Sequence, residues 1–131
     1  MRKLLNEELN RKSVDQFKSS SKTPIIIVLD NVRSLNNVGS VFRTADAFLV
    51  EAIYLCGITG TPPNKDIQKT ALGSTESVAW RYFKTTLEAV NHLKQDRYRI
   101  FAIEQAESSI MLNEFKLQKK QRLAIVFGNE V

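Results

Sequence analysis

The sequence predicts an α/β fold, a mostly parallel sheet with helices on both faces. Three observations predict it. Apolar runs at 25–29 and 123–127, and the segment 99–103 that is apolar after Arg99, have the length and continuity of strands buried on both faces. Within 37–48, Val38, Val41, Phe42, Ala45 and Phe48 recur at helical spacing. Strand-like and helix-like segments then alternate along the chain, the order that builds parallel sheets.

Residues 1–22 read as a helical extension and linker, and 23–131 as one domain. Leu4, Leu5 and Leu9 make a narrow apolar stripe, and Ser13-Val14-Asp15-Gln16 is a capping box opening a helical turn toward Phe17. Pro24 favours an extended entry into the strand at 25–29. The helix over 37–48 follows, with Asn36 or Asn37 as the expected cap. A second strand covers 52–57. The turn formers Gly57, Gly60, Pro62, Pro63 and Asn64 lead to a helix over 66–72 and a short strand over 78–83. Thr85-Thr86-Leu87-Glu88 is a second capping box, whose helix carries Leu87, Val90 and Leu93 on one face.

Composition narrows the function classes. The 131 residues make one domain's worth of chain, with hydrophobic and charged fractions ordinary for a globular protein. No apolar run is long enough to span a bilayer, and Glu7 and Glu8 interrupt any signal-peptide pattern. The single cysteine, Cys56, fits a reducing compartment, so a cytoplasmic location is expected. Cys56 lies inside an apolar strand and reads as core, and His92, the one histidine, reads as an exposed surface residue. One Cys and one His exclude a Cys/His zinc cluster within the chain, and no metal is expected. The net charge of +5 permits a nucleic-acid partner or a solvated basic surface equally well. Neither a Rossmann fingerprint nor a phosphate-binding P-loop is present.

The stretch Asn37-Val38-Gly39-Ser40-Val41-Phe42-Arg43 follows a strand's carboxyl end, where α/β proteins bind ligands. Gly39 permits close backbone approach, and Arg43, expected on the buried side, carries a planar fork of donors suited to phosphate. A capped helix in which Arg43 pairs with Asp46 at i+3 explains the same residues.

Leu29-Asp30-Asn31-Val32-Arg33-Ser34 followed by Asn37-x-Gly39-x-x-x-Arg43-Thr44-Ala45 resembles the first motif of the SpoU-type branch of the SPOUT RNA methyltransferases. Ile125-Val126-Phe127-Gly128-Asn129-Glu130 is similar to the start of that family's second motif. Lys69-Thr70-Ala71-Leu72-Gly73-Ser74 is similar to a segment the family carries between them. The resemblance covers residues 24–131. It implies methyl transfer from S-adenosyl-L-methionine to a ribose 2′-hydroxyl of tRNA or rRNA, a trefoil-knotted sheet and a homodimer. It places Arg43, Asn37 and Glu130 at the catalytic centre, and Arg43 with Arg33 on the RNA. Ile103, Glu104, Phe127, Gly128 and Asn129 fall on the cofactor. A guanidinium is always protonated, so the role expected of Arg43 is to grip phosphate and orient the ribose rather than to act as base.

The family's third motif, a Ser-Leu-Asn-type segment that completes the knot, does not occur in these residues. The sequence therefore reads as a domain truncated at its C-terminus, expected to bind the cofactor poorly and to be inactive by itself. Two alternatives stay open: a non-catalytic RNA-binding module of the same fold, and a small-molecule nucleotide binder.

Overall fold

The computed structural model describes residues 1–117 and 121–129. Five strands run in chain order: β1 (Thr23–Asp30), β2 (Val50–Cys56), β3 (Trp80–Phe83), β4 (Arg99–Ala102) and β5 (Leu123–Gly128). The helices are α1 (Val14–Ser19), α2 (Leu35–Ala47), α3 (Lys65–Ala71), α4 (Ser74–Ser77) and α5 (Thr86–Gln95). All strand pairs are parallel, in the order β3-β2-β1-β5-β4. The chain builds outward from β1 to β2 and β3, crosses to the far edge for β4, and returns to place β5 against β1. The winding direction thus reverses between β1 and β5, where Asp30 pairs with Gly128 at the carboxyl ends.

Alternation along the strands divides the core in two. Leu29, Ile53 and Leu55 meet Val38, Phe42 and Ala45 of α2 and Ile67 and Ala71 of α3. Ile26, Val28, Tyr54 and Cys56 point the other way and meet Ala89 and Leu93 of α5. Phe17 of α1 is buried in the α2-side cluster, so the N-terminal segment docks through one ring. Asn6–Leu9 is a 3-10 turn, and Leu4, Leu5 and Leu9 of the predicted stripe stay exposed. The Ser13 capping box forms as predicted, and Thr85 caps α5 through Glu88 N–H.

Four differences from the sequence reading have physical causes. Helix α2 starts at Leu35 because Ser34, not Asn36 or Asn37, is its cap; the Ser34 hydroxyl accepts the Asn37 N–H at 3.2 Å. Strand β3 begins at Trp80, because Ser74–Ser77 forms a helical turn and the Val78 N–H returns to the Ser74 carbonyl. Strand β4 is half-exposed rather than buried on both faces: it is an edge, paired with β5 alone. His92 is only partly exposed, its ring 5.7 Å from that of Phe83 and 6.1 Å from that of Tyr54.

Gly39 sets the distance between α2 and α3. A Cβ there would run into the Ile67 carbonyl and the Thr70 side chain, whose hydroxyl donates to Asn36 O at 2.7 Å. Gly39→Ala would gain helix propensity, yet backbone cannot yield as a side-chain tip does. A net loss of about 1–3 kcal/mol is expected, read as a lower urea midpoint at unchanged m-value.

Cys56 is buried, and burial pushes its thiol up to about 11. The folded thiol keeps its proton to higher pH than the unfolded one, so its contribution is complete below the unfolded value of about 8.5. Stability should fall by up to about 1.4 kcal/mol per pH unit above that value until pH reaches about 11. Cys56→Ala should flatten that limb in denaturation curves, and native Cys56 should resist thiol reagents until the chain unfolds.

Candidate active site

The loop leaving β1 is locked to the loop leaving β2. Asn31 adopts a left-handed conformation, φ 50°, tolerated by asparagine better than by most residues. Its side-chain amide donates to Asp30 Oδ1 at 3.0 Å and its oxygen accepts the Ile58 N–H at 3.0 Å. The Thr86 hydroxyl, at the start of α5, donates to the same Asp30 oxygen. Thr59 is buried, and its hydroxyl accepts the Val32 N–H at 3.0 Å. That hydroxyl lies 2.8 Å from the Cys56 carbonyl and 3.1 Å from the Leu29 carbonyl, donating toward them. These bonds fix the path from Asp30 to Ser34 and therefore the angle at which α2 departs.

Along α2, Asn36, Ser40, Arg43, Thr44 and Ala47 form one exposed face at three- and four-residue spacing. Arg43 is on this face, not the buried side expected from sequence. No hydrogen bond or ion pair of Arg43, Asn37 or Arg33 side chains occurs among the described residues. The alternative in which Arg43 pairs with Asp46 is not realised. Asp46 is instead partly buried, and desolvation raises its carboxyl pKa, the direction opposite to that of an ion pair.

At the end of β5, Phe127 is 37% exposed and Gly128 has φ +104°. A Cβ on Gly128 would strike the Asp30 carbonyl, so the close approach of β5 to β1 at the reversal point requires glycine. Asn129 follows, exposed; Glu130 lies outside the described residues. A cavity of about 760 Å³ lies over β4 and β5, and Phe127, Gly128 and Asn129 are not among the residues that line it. Its floor is Leu123 and Ile125, and its walls include Ile103, Glu104, Met111 and Phe115. Ile125 is in register with Ile27, which packs toward α2, so the cavity opens on the α2 side of the sheet. Phe101 and Phe115 close one end edge to face, with centroids 4.5 Å apart.

The structure thus brings Ile103 and Glu104 into the cavity. Gly128 sits beside Asp30, and Phe127 and Asn129 flank it at the strand end. Arg33, Asn37 and Arg43 lie along the neighbouring loop and helix. No cluster of three metal-ligating side chains occurs among the described residues, and none of the described helices is long and apolar enough to cross a membrane.

The sequence profile of the SpoU rRNA Methylase family matches residues 24–131. The chain belongs to that family. It is 27% identical to the 23S rRNA (guanosine-2′-O-)-methyltransferase RlmB of Vibrio vulnificus over 95% of this chain and 49% of that protein. With the enzyme of the same name from Vibrio parahaemolyticus it shares 35% identity over 55% of this chain and 29% of that protein. The chain therefore spans half or less of the length of these curated relatives. The crystal structure of an rRNA methyltransferase from Sinorhizobium meliloti superposes with a TM-score of 0.73 and 22% identity, over 87% of this chain and 44% of that one. That likeness is one of fold.

Sequence reasoning passed over Ser34, Thr59 and Thr86. Ser34 carries a local signal, a hydroxyl residue three positions before Asn37. Thr59 and Thr86 act across 27 to 56 positions of chain, a range at which no local pattern operates. Thr59→Val keeps the shape and removes the acceptor for the Val32 N–H. A loss of about 1–3 kcal/mol is expected, with Thr59→Ser retaining most of the stability in the same denaturation assay.

Proposed function

We propose that this protein is an S-adenosyl-L-methionine-dependent RNA methyltransferase acting on a ribose 2′-hydroxyl of rRNA or tRNA, in the cytoplasm and as a homodimer. The observation that carries the reading is Arg43: an exposed guanidinium with no partner among the described residues, on the helix that leaves the winding-reversal point, within the motif that resembles the family's first. The names of the curated relatives specify guanosine 2′-O-methylation of 23S rRNA, which favours rRNA as the substrate class.

The residues present fit the cofactor. The cavity is within the size range of small-molecule sites. Its walls are mainly apolar, as a purine face needs, and Glu104 offers carboxylate oxygens to ribose hydroxyls. Phe127, Gly128 and Asn129 stand outside the cavity lining and are assigned to the cofactor by the motif resemblance alone. When bound, S-adenosyl-L-methionine supplies a methyl group on a cationic sulfur, open to displacement by an oxygen nucleophile.

The chain's own contribution is positioning. Arg43 binds an RNA phosphate with its planar fork and orients the adjoining ribose. Asn37, six residues earlier on the helix, shapes the entry to the site, and Arg33 adds a second cation to the RNA path. Holding the hydroxyl in line with the methyl can supply a large share of the rate. Glu130, outside the described residues, is assigned a positioning role by the motif resemblance alone.

Arg43→Ala should abolish methyl transfer to the cognate RNA, a loss of at least about 100-fold. Circular dichroism and melting should be unchanged, since Arg43 makes no hydrogen bond or ion pair among the described residues. Mapping 2′-O-methylation in total RNA from a deletion strain, complemented with wild type or Arg43→Ala, identifies the nucleotide. Full methylation restored by Arg43→Ala would overturn the assignment. RNA binding with no methylation lost on deletion would favour the non-catalytic module.

A further inference from the structure

Strand β3 is the free edge of the sheet beyond β2, and its sequence is Trp80-Arg81-Tyr82-Phe83, followed by Lys84. Trp80 pairs with Ile53 and Tyr82 with Leu55, so both rings stand on the α2 side of the sheet. Helices α2 and α3 bury Ile53 and Leu55, but Trp80 remains 37% exposed and Tyr82 46% exposed. The two rings sit side by side on one face, about 6.6 Å apart along the strand. Tyr82 is fixed by its hydroxyl, which donates to the Gly57 carbonyl at 2.8 Å.

Cations accompany the rings. Arg81 points to the other face, its guanidinium 4.6 Å from the centre of the Phe83 ring and 3.4 Å from His92 Nε2. Lys84 is exposed at the carboxyl end of the strand. No acidic residue occurs between Glu76 and Glu88. Charged side chains alone would guard a sheet edge against pairing. Two exposed aromatic rings do the opposite, since they leave apolar surface in water. Flat rings interleaved with cations match unpaired nucleotides, whose bases stack and whose phosphates are anionic.

We propose that the β3 edge is a stacking platform for single-stranded RNA, with Trp80 and Tyr82 each receiving a base and Lys84, at the carboxyl end of the strand, facing the phosphates. The proposal rests on the reading of the protein as an RNA enzyme and adds a surface outside the methyl-transfer site.

Trp80 is the sole tryptophan, so intrinsic indole emission reports on this platform alone. The test is a titration of the full chain with a fluorescently labelled single-stranded oligouridylate, following indole emission and label anisotropy together. Saturable quenching of Trp80 in step with the anisotropy rise is expected. A blunt duplex of equal length should leave the emission unchanged. Trp80→Leu and Tyr82→Leu should each weaken binding by roughly 5- to 100-fold, while Trp80→Phe, which keeps a stacking face, should retain most of it. Melting curves establish that the variants are folded. Binding with silent Trp80 emission, or unchanged affinity in both leucine variants, would overturn the platform while leaving the enzyme assignment intact. Quenching that rises with protein concentration in the absence of RNA would also overturn it, in favour of a contact between copies of the chain. The methylation test with Arg43→Ala reads the enzyme assignment separately.

Discussion

Strand β1 is hydrogen-bonded on both sides, to β2 and to β5, and is buried from both faces by helices. That double pairing brings three carboxyl ends into one row. Asp30 is in register with Cys56 on one side and with Gly128 on the other. The row puts the loop after β1 within reach of the loop after β2, so Asn31 can accept the Ile58 N–H and Thr59 can serve Val32. It also brings β5 so close to Asp30 that only glycine is accommodated at position 128. If β1 slipped by one residue, the faces of Val28 and Leu29 would exchange and both clusters of the core would be lost. The site therefore inherits its geometry from the packing of one strand.

Much of this was legible in the sequence because it is local. The runs at 25–29 and 123–127 read directly as strands, although the second is buried only over Leu123 and Ala124, and the caps at Ser13 and Thr85 mark helix starts through bonds three residues long. The errors arose where local signals compete. Three candidates for the α2 cap stand within four residues, Ser34, Asn36 and Asn37, and the choice depends on where the preceding loop is tied. That loop is tied by Asn31 and Thr59 to residues on another strand. The residues before β3 carry both a β-compatible Val78 and a helical-turn signal in Ser74. The turn prevailed, its carbonyl receiving the Val78 N–H.

The site was legible in a different way. Gly39 and Arg43 are uninformative one at a time, since a packed helix with a surface ion pair accounts for both. Motif order made them informative, and the structure then separated their roles. Gly39 is used up by packing, its missing side chain filled by α3. Arg43 is left over: the partner expected at Asp46 turns toward the protein, and the guanidinium faces solvent. Side-chain orientation is what spacing alone did not reveal, because positions 42 and 43 differ by a third of a helical turn and only the core decides which one it takes.

On the proposed reading, sheet geometry also limits how RNA would lie on this surface. Tyr82 is in register with Leu55, Leu55 with Leu29, and Leu29 with Phe127, so the β3 edge and the reversal point share one row across the sheet. Two strand spacings of about 4.8 Å separate β3 from β1, about 10 Å in all. A strand of RNA whose ribose is presented beside Asp30 and Gly128 would thus reach Tyr82 within a very few nucleotides. Unpaired bases can splay apart to meet such a platform, but bases held in a duplex cannot. On those two proposals together, the target nucleotide would lie in a loop or bulge and not inside a helix.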